Sequence, residues 1–522
     1  SFIAVQAGTY EVEISASGFT KTRLQNVKVS PIQETSLGAV KLDVQATQAT
    51  VEVVATTEGV QTANAEISST VTARQVTSLP VLDRQVSTLF LTQPGVSAGR
   101  GSTVVNGMRT SFANVTLDGI NIQDNFIRTN SLDYIPTKTT IDQVAEITIA
   151  TSNASTTIGG GGAQMVLSTR SGSNEWHGSA YWYNRNSALS ANDWFNNKSG
   201  VGVPFLNLNQ PGASIGGKII RDKLFFFVNY EAFRLRQQQN TLNTTLTDSA
   251  RTGLFQYRDT AGVLQSANVL NLRGISVNPA IQTMLGQLPK GNSTDAGDQL
   301  NTTGYLFNAR SNEDRNQLVY RGDYYLSPKH SFTGTYNYTS DNVDRPDLGD
   351  FYTVAPPVYN DNHNHLLSLA WRWTAGPTLT NELRGGFNRG PGNFNVRSEY
   401  SPYLLSGQIF DSPVNTFLKQ GRDTNTYTIQ DNASWIKGKH VVSFGFQSQY
   451  IRSAPFNDAG ILPTYTLGIS TSNTTGLTSA DLPGARSADV NLANSLYPSL
   501  GGIISQSSQT FNITSRNSGF VP

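Results

Sequence analysis

The strongest constraint on the fold of this chain is a set of segments in which apolar and polar residues alternate over an unusual length. In the segment that begins at His440, Phe444 and Phe446 fall on one face of an extended strand. Ser443 and Gln447 fall on the opposite face. Such alternation predicts a β-strand with one apolar and one polar face. An ordinary strand has about 5 to 6 residues, whereas these segments reach the roughly 9 to 11 residues that a tilted strand needs to cross a bilayer.

The segments form four pairs, and each pair is joined by a short turn. The turns lie at residues 221–223, 327–329, 375–377 and 437–439. The connections between the pairs are long, over residues 237–314, 342–362 and 390–425. Alternating short turns and long loops are typical of outer-membrane barrels, in which the turns face the periplasm and the loops face outside. A soluble β-sandwich also alternates apolar and polar residues, but its strands are usually shorter.

A ninth strand, over residues 175–184, precedes the pairs and carries large aromatic residues at both ends. Trp176 lies at one end, and Trp182 with Tyr183 lies at the other. This spacing suits the aromatic girdles at the two membrane interfaces. Because large plugged barrels use about 22 strands, nine strands predict only part of a barrel. Residues 171–522 are therefore expected to be the N-terminal part of an incomplete antiparallel transmembrane β-barrel.

Two smaller regions precede the predicted barrel. Residues 1–46 contain strand patterns in TYEVEISASGF, LQNVKVS and LGAVKLDV. A complete β-sandwich of this kind needs about seven strands, so we expect only its C-terminal part. Residues 47–170 combine short strands with a helix candidate, DRQVSTLFLTQPG, and predict an α/β domain. The expected fold class is mainly β, and the chain is expected to be cut at both ends.

Composition and isolated motifs exclude several classes of function. A net charge of +1 gives no basic field for nucleic acid, and the absence of cysteine removes thiolate metal sites and cysteine nucleophiles. The sequences GVSAG and GASIG match a nucleophile-elbow pattern without its strand–turn–helix context. His363 and His365 share a strand face with Asp361, but no fourth ligand is identifiable. We therefore predict no enzymatic activity, no cofactor and no metal site.

Five charged residues of the predicted barrel point to the lumen on the register of the strands. They could contact an internal domain or line a ligand path, and a solvated or mutually paired inner wall is an equal alternative. These residues are Glu231, Arg321, Asp323, Glu382 and Arg384.

Two dipeptides in the 47–170 region have the chemistry of tight turns. Asn106-Gly107 and Asp118-Gly119 favour hairpin turns, because Asn, Asp and Gly tolerate positive φ. Arg109 follows the first turn and is a candidate partner for the Asp118 carboxylate.

Taken in order, these segments resemble TonB-dependent outer-membrane transporters of the Oar-like group. GTYEVEISASGF is similar to the end of a carboxypeptidase-regulatory-like domain. SLPVLDRQVSTLFLTQPGV and VVNGMRTSFANVTLDGINIQD are similar to a plug, and DNASWIKGKHVVSFGFQSQY is similar to a barrel hairpin. The resemblance implies a protein of the bacterial outer membrane, surrounded by lipid. It also implies a TonB-type periplasmic partner and an imported ligand of unknown identity: a glycan, a peptide or a metal chelate.

By position, the segment ATVEVVAT is the candidate TonB box. Its centre comprises Val51, Glu52, Val53, Val54 and Ala55. An extended apolar segment in a polar linker can pair with a partner strand through its main chain. Glu52 interrupts the apolar run, and a plain first strand of the plug is the alternative. A non-transporting surface protein of the same architecture, acting as an adhesin or glycan binder, is the alternative function.

Overall fold

The structure is a computed structural model. It describes residues 8–29, 37, 40–44, 51–54, 67–72, 84–98, 103–108, 110–127, 135–154, 162–192, 194, 197, 202–473, 475–513 and 515–521. Strands and helices are numbered below in chain order.

The N-terminal region forms a small three-stranded sheet. It contains β1 (Gly8–Ile14), β2 (Thr22–Val29) and β3 (Val51–Val54). β1 and β2 are antiparallel, and β3 pairs in parallel with β2. The strand predicted over residues 37–44 is reduced, in its described residues, to a single bridge between Val44 and Phe19. The third strand of this sheet is thus the candidate TonB box.

The next region is built on a five-stranded sheet in the order β4-β9-β10-β7-β8. Its strands are β4 (Ile67–Thr72), β5 (Val96–Ala98), β6 (Thr103–Val105), β7 (Ala113–Leu117), β8 (Ile120–Asn121), β9 (Val144–Ser152) and β10 (Ala163–Thr169), with β5 and β6 paired separately. Only the β10–β7 pair is parallel. We call the described residues from 67 to 169 the plug.

The helix predicted before Pro94 is present, but it is a 3₁₀ helix, Val86–Thr92. Its residues Val86, Leu89 and Phe90 are buried in the plug core. The hydroxyl of Thr88 donates to the carbonyl of Gln85, and the hydroxyl of Thr92 donates to that of Leu89. Threonine hydroxyls that bond to nearby carbonyls compete with regular helix bonds. A short, tight helix is the result.

Nine long strands form the sheet that we call the wall. They are β11 (His177–Asn186), β12 (Leu206–Ile220), β13 (Leu224–Leu246), β17 (Glu313–Ser327), β18 (His330–Asp344), β19 (Val358–Gly376), β20 (Leu379–Val396), β22 (Gln420–Lys437) and β23 (His440–Asn457). Neighbours pair antiparallel in this order, and the sheet is not closed within the described residues. The four short turns lie at the predicted positions. A short 3₁₀ helix, Ser187–Leu189, follows β11.

Asp431 shares one face of β22 with the apolar residues Ile429 and Trp435. The pairing of β22 with both neighbours shows no register shift. The side-chain amide of Asn381 donates to its carboxylate over 2.9 Å. A hydrogen bond across the strands therefore satisfies this acidic group on the apolar face.

The long connections at the other end of the wall contain further elements. They are β14 (Leu254–Arg258), β15 (Leu264–Asn268), β16 (Thr302–Arg310), β21 (Leu404–Ser406), β24 (Thr464–Leu467), β25 (Ile504–Ser508), β26 (Asn512–Ile513) and β27 (Phe520–Val521). Helices α1 (Pro279–Leu285) and α2 (Ser487–Gly501) accompany them, with 3₁₀ helices Ala250–Thr252 and Asn271–Arg273. β16 pairs with the outer half of β13.

These connections share an apolar core that the sequence did not reveal. We call residues 247–301, 345–357, 397–419 and 458–511 the outer cap. Phe255, Leu285 and Leu496 are at most 4% exposed and belong to one cluster of buried residues. The cluster draws on three separate connections, so the predicted polar loops are in fact one folded layer.

In a soluble protein the apolar face of a sheet is buried and the polar face is exposed. In the wall the polar face is buried and the apolar face is exposed. On β18, Thr335, Asn337 and Thr339 are at most 4% exposed, whereas Phe332 is 41% exposed. On β23, Phe444 and Phe446 are each 57% exposed. The polar face is buried and the apolar face is open, as it is in a sheet that faces lipid. Among the described residues, no helix has the length and apolar character needed to cross a membrane.

Candidate functional site

The Asp118-Gly119 turn is the first of several contacts between the plug and the wall. Asp118 has φ of +48° and Gly119 has φ of +80°, as expected for a tight hairpin turn. The Asp118 carbonyl accepts hydrogen bonds from the Ser368 hydroxyl, at 2.8 Å, and from the Arg384 guanidinium. A Cβ atom on Gly119 would lie 2.5 Å from the Arg384 side chain. The positive φ favours glycine at this position, and any side chain here would also displace the Arg384 side chain.

Arg384 is held in place by an acidic residue of the same strand. Glu382 accepts from Arg384 over 2.7 Å and also pairs with Arg372 on β19. The Glu382 side chain is 16% exposed. One carboxylate between two guanidinium groups fixes their planes through paired hydrogen bonds. Glu382 thus positions Arg384 toward the plug.

A second contact lies where the plug passes into the wall. Arg321 and Asp323 form a bidentate ion pair, with N–O distances of 2.8 and 2.9 Å. Arg321 also donates to the Thr169 carbonyl at the end of β10, over 2.5 Å. The Ser171 hydroxyl donates to Asp323 over 2.7 Å. The carboxylate of Asp118 is 3.9 Å from Arg321 and is bonded to Thr169.

Glu231 joins a third contact, around a plug residue that the sequence did not single out. Glu231 is 1% exposed and accepts from the Tyr181 hydroxyl over 2.5 Å. The guanidinium of Arg84 lies 3.7 Å from Glu231 and pairs with Asp142 inside the plug. It also lies 4.7 and 4.2 Å from the ring centres of Tyr181 and Tyr183. Cation–π contacts of this geometry add to the ion pairs.

The fourth contact lies toward the outer end of the plug. Asp124, 3% exposed, pairs with Arg422 of β22. The amide of Asn125 donates to the Thr426 hydroxyl over 2.8 Å. Sequence alternation gave no signal for either plug residue, because both follow β8 in an irregular segment.

The other predicted turn stays within the plug. Asn106 has φ of +48° and Gly107 has φ of +74°. The Asn106 amide donates to the Thr151 carbonyl of β9 over 2.7 Å. Arg109 lies outside the described residues, so its predicted pairing with Asp118 stays a prediction.

The candidate TonB box is extended and lies outside the plug sheet. Val51 to Val54 pair in parallel with Thr22 to Gln25 of β2, at one end of the N-terminal sheet. Ala55 lies outside the described residues. The five-stranded sheet of the plug begins with β4, and β3 pairs with β2 instead.

Two carboxylates stabilise irregular segments of the outer cap. Arg273 donates to both oxygens of Asp481, over 2.9 and 2.8 Å, and this hydrogen bonding lowers the pKa of Asp481. Burial tends to raise the pKa of Asp298, but hydrogen bonds from the backbone N–H groups of Thr302 and Asn301 outweigh it, so that the pKa is lowered. Both groups are therefore bound more strongly as carboxylates than as acids.

The two histidines considered as metal ligands are engaged with tyrosines. His365 and His363 form 2.8 Å hydrogen bonds with the hydroxyls of Tyr336 and Tyr338. Among the described residues, no group of three or more histidine and acidic side chains could hold a metal ion. The Tyr–His pairs are ladder contacts on the outward face of the wall.

Residues 168–520 match the model of a family described as an outer membrane beta barrel domain. The chain belongs to this family. Its wall strands therefore cross the bacterial outer membrane, and the exposed apolar face is the lipid-facing face. Comparison with the curated proteins found no match.

Several solved outer-membrane structures are similar to this family member. The outer membrane transporter YddB from Escherichia coli has a TM-score of 0.47 and 14% identity over 77% of this chain and 50% of its own. A mutant ferric enterobactin receptor from Pseudomonas aeruginosa has a TM-score of 0.46 and 13% identity, covering 74% and 49%. The siderophore receptor PirA from Acinetobacter baumannii has a TM-score of 0.43 and 13% identity, covering 81% and 51%. The chain spans about half the length of these structures.

Proposed function

We propose that this family member is a TonB-dependent outer-membrane receptor of the Oar-like group. It would bind a ligand at its outer cap and plug, and import it with energy from the inner-membrane motor. In this proposal residues 1–46 belong to a carboxypeptidase-regulatory-like domain, residues 47–170 are the plug and residues 171–522 are barrel. The observation that carries the proposal is the polar attachment of the plug to the inner face of the wall.

The chemistry of that attachment suits a plug that must move. The contacts of Asp118, Thr169, Arg84 and Asp124 with the wall are hydrogen bonds and ion pairs. Such groups can exchange protein partners for water as a hydrated lumen opens, so each contributes only about 0.5–3 kcal/mol net. The apolar contact of Leu366 with the plug core is the part of the attachment that would resist opening, because its area would become exposed to water.

Residues 51–55 would supply the energy coupling. Strand β3 is at one end of the sheet order β1-β2-β3, so its outer edge has no partner strand among the described residues. A strand edge is the structure to which another chain adds by main-chain hydrogen bonding. The segment also precedes the first strand of the plug, where a pull would be transmitted to the plug sheet.

The direct test is deletion of Val51–Ala55, with deletion of residues 57–61 of the same linker as the matched control. We expect the first deletion to abolish binding of the purified periplasmic domain of a TonB-type protein, and the control deletion to preserve it. Surface display of both variants should equal that of the parent chain. Undiminished binding by the first variant would contradict the coupling role of this segment.

The alternative of a non-transporting adhesin or glycan binder is supported by one observation. The outer cap has an apolar core of its own, so it can present a rigid binding surface without any movement of the plug. The same deletion separates the two functions. A transporter loses energy-dependent accumulation of its ligand, whereas a surface binder retains all of its activity.

A further inference from the structure

We propose that a cleft in the outer cap binds one uncharged sugar unit of an oligosaccharide. This deepens the proposed receptor function and rests on it, because it names a ligand class for the cap. The cleft lies between α1 with the turn that follows it and the segment over residues 401–416, and has a volume of about 150 Å³. The deciding feature is that none of its lining residues is charged.

Helix α1 has one face in the cap core and another toward the cleft. Ile281 and Leu285 are at most 4% exposed and belong to the core cluster. Thr283 and Met284 line the cleft, together with Gln287 just after the helix. The helix, PAIQTML, contains no charged residue. A solvent-facing helix surface is usually charged, so this uncharged face is unusual.

The opposite side of the cleft is also lined by apolar and uncharged polar side chains. It combines Tyr403 and Leu404 with the hydroxyls of Ser401 and Thr416. The Tyr403 ring makes an edge contact with Tyr465, at 5.8 Å between ring centres, which fixes its orientation. None of the eleven lining residues carries a carboxylate, an amine, a guanidinium or an imidazole group.

This lining fits a sugar ring and does not fit an ionised chelate. A sugar presents C–H groups that pack on aromatic and aliphatic side chains, and hydroxyls that bond to amide and hydroxyl groups. An anion in the cleft would lose hydration without gaining a cationic partner. Typical ligand pockets have volumes of about 300 Å³ or more, so this cleft holds a single ring while the rest of the ligand extends outward past the exposed Gln287.

The test is a calorimetric titration of the full chain in detergent micelles. The probes are maltohexaose, cellohexaose and xylohexaose, with hexagalacturonate and an uncharged hexapeptide as comparators. We expect saturable binding of at least one neutral hexasaccharide and no binding of the two comparators. Gln287→Ala should weaken binding about tenfold, which is about 1.4 kcal/mol.

Gln282→Ala is the matched control, because Gln282 is exposed on α1 and does not line the cleft. It should leave the affinity for the hexasaccharide unchanged. Tyr403→Phe keeps the aromatic ring and removes only the hydroxyl, so it should retain most of the affinity. The proposal is overturned if no neutral hexasaccharide binds at millimolar concentration, if Gln287→Ala and Gln282→Ala behave alike, or if the peptide or hexagalacturonate is preferred. Deletion of Val51–Ala55 should not alter the sugar affinity measured in this titration. A failure of the coupling proposal can therefore be distinguished from a failure of the sugar-site proposal.

Discussion

The plug and the outer cap both lie against the wall, but different forces hold them in place. The plug meets the wall through ion pairs and hydrogen bonds, such as Asp124 with Arg422 and Asp118 with Ser368, and through Leu366 of β19, which belongs to the apolar core of the plug. The cap is joined by a continuous apolar core that includes Leu246, the last residue of wall strand β13. Polar contacts can be exchanged for water one at a time, whereas an apolar core is lost as a unit. The plug is thus attached to the wall largely by polar contacts, whereas the cap is built around an apolar core.

The largest effect is expected from Phe255→Ala in the cap core. Phe255 is 0% exposed, so its truncation should cost about 3–5 kcal/mol of unfolding free energy. Leu264→Ala on the paired strand is the control, because Leu264 is 47% exposed and should change stability by no more than about 0.5 kcal/mol. The unfolding free energies of both variants can be measured by urea unfolding of the cap, monitored by hydrogen exchange. Equal losses of stability in the two variants would contradict the claim that an apolar core stabilises the cap.

Arg422→Ala should loosen the plug more than the rest of the molecule. It leaves the Asp124 carboxylate buried without its ion-pair partner, which costs about 3 kcal/mol. Hydrogen exchange of β7 and β8 should accelerate, while exchange in the cap stays unchanged. The control is Arg389→Ala, which removes an exposed ion pair with Asp423 and should cost about 1 kcal/mol or less. A uniform increase across plug and cap would contradict separate attachment.

Acid should weaken the cap through Asp481 and Asp298, whose pKa values are lowered in the fold. A lowered pKa contributes stability that is present above the unfolded value of about 3.9 and is lost as the pH falls through the folded value. Unfolding of the cap can be followed with a fluorophore attached to the cysteine of a Val263→Cys variant, because the chain has no other cysteine. The urea concentration at the midpoint of unfolding should be constant from pH 7 to about 5 and should decrease below pH about 4. Asp481→Asn should lower the midpoint at pH 7 and flatten the decline. An unaltered decline in that variant would assign the acid sensitivity elsewhere.

The smallest effect is expected from Asn125→Ala, which removes a neutral hydrogen bond between plug and wall. The loss should be about 0.5–1.5 kcal/mol, measured as faster exchange in the plug. Thr426→Val removes the same bond from the wall side. If the bond is real, the double variant should cost less than the sum of the two single variants.

The long hairpins were predictable because their signals are local. Period-two alternation indicated the faces of wall strands such as β18 and β23, and turn residues such as Lys437-Gly438-Lys439 indicated their ends. The same alternation along the strands predicted that Glu231 and Arg384 lie on the inner face of the wall. The partners of these residues were not predictable, since the Asp118 carbonyl and the Arg84 guanidinium lie on a separate domain whose position depends on long-range packing.

The cap escaped sequence analysis for a related reason. Its core residues Phe255, Leu285 and Leu496 come from segments that are far apart in the chain and follow no common period. Pattern recognition detects a buried face only where one element presents it regularly. A core assembled from scattered positions exists only after the connections have folded together.

The sequence by itself determined that this chain builds membrane-crossing strands, because alternation and strand length are properties of consecutive residues. Tertiary structure decided which side chains meet: the arginines of the wall with plug carbonyls and carboxylates, and the connections with one another. Those contacts depend on the distance between residues up to about 300 positions apart, such as Asn125 and Thr426, and no local pattern encodes such a distance.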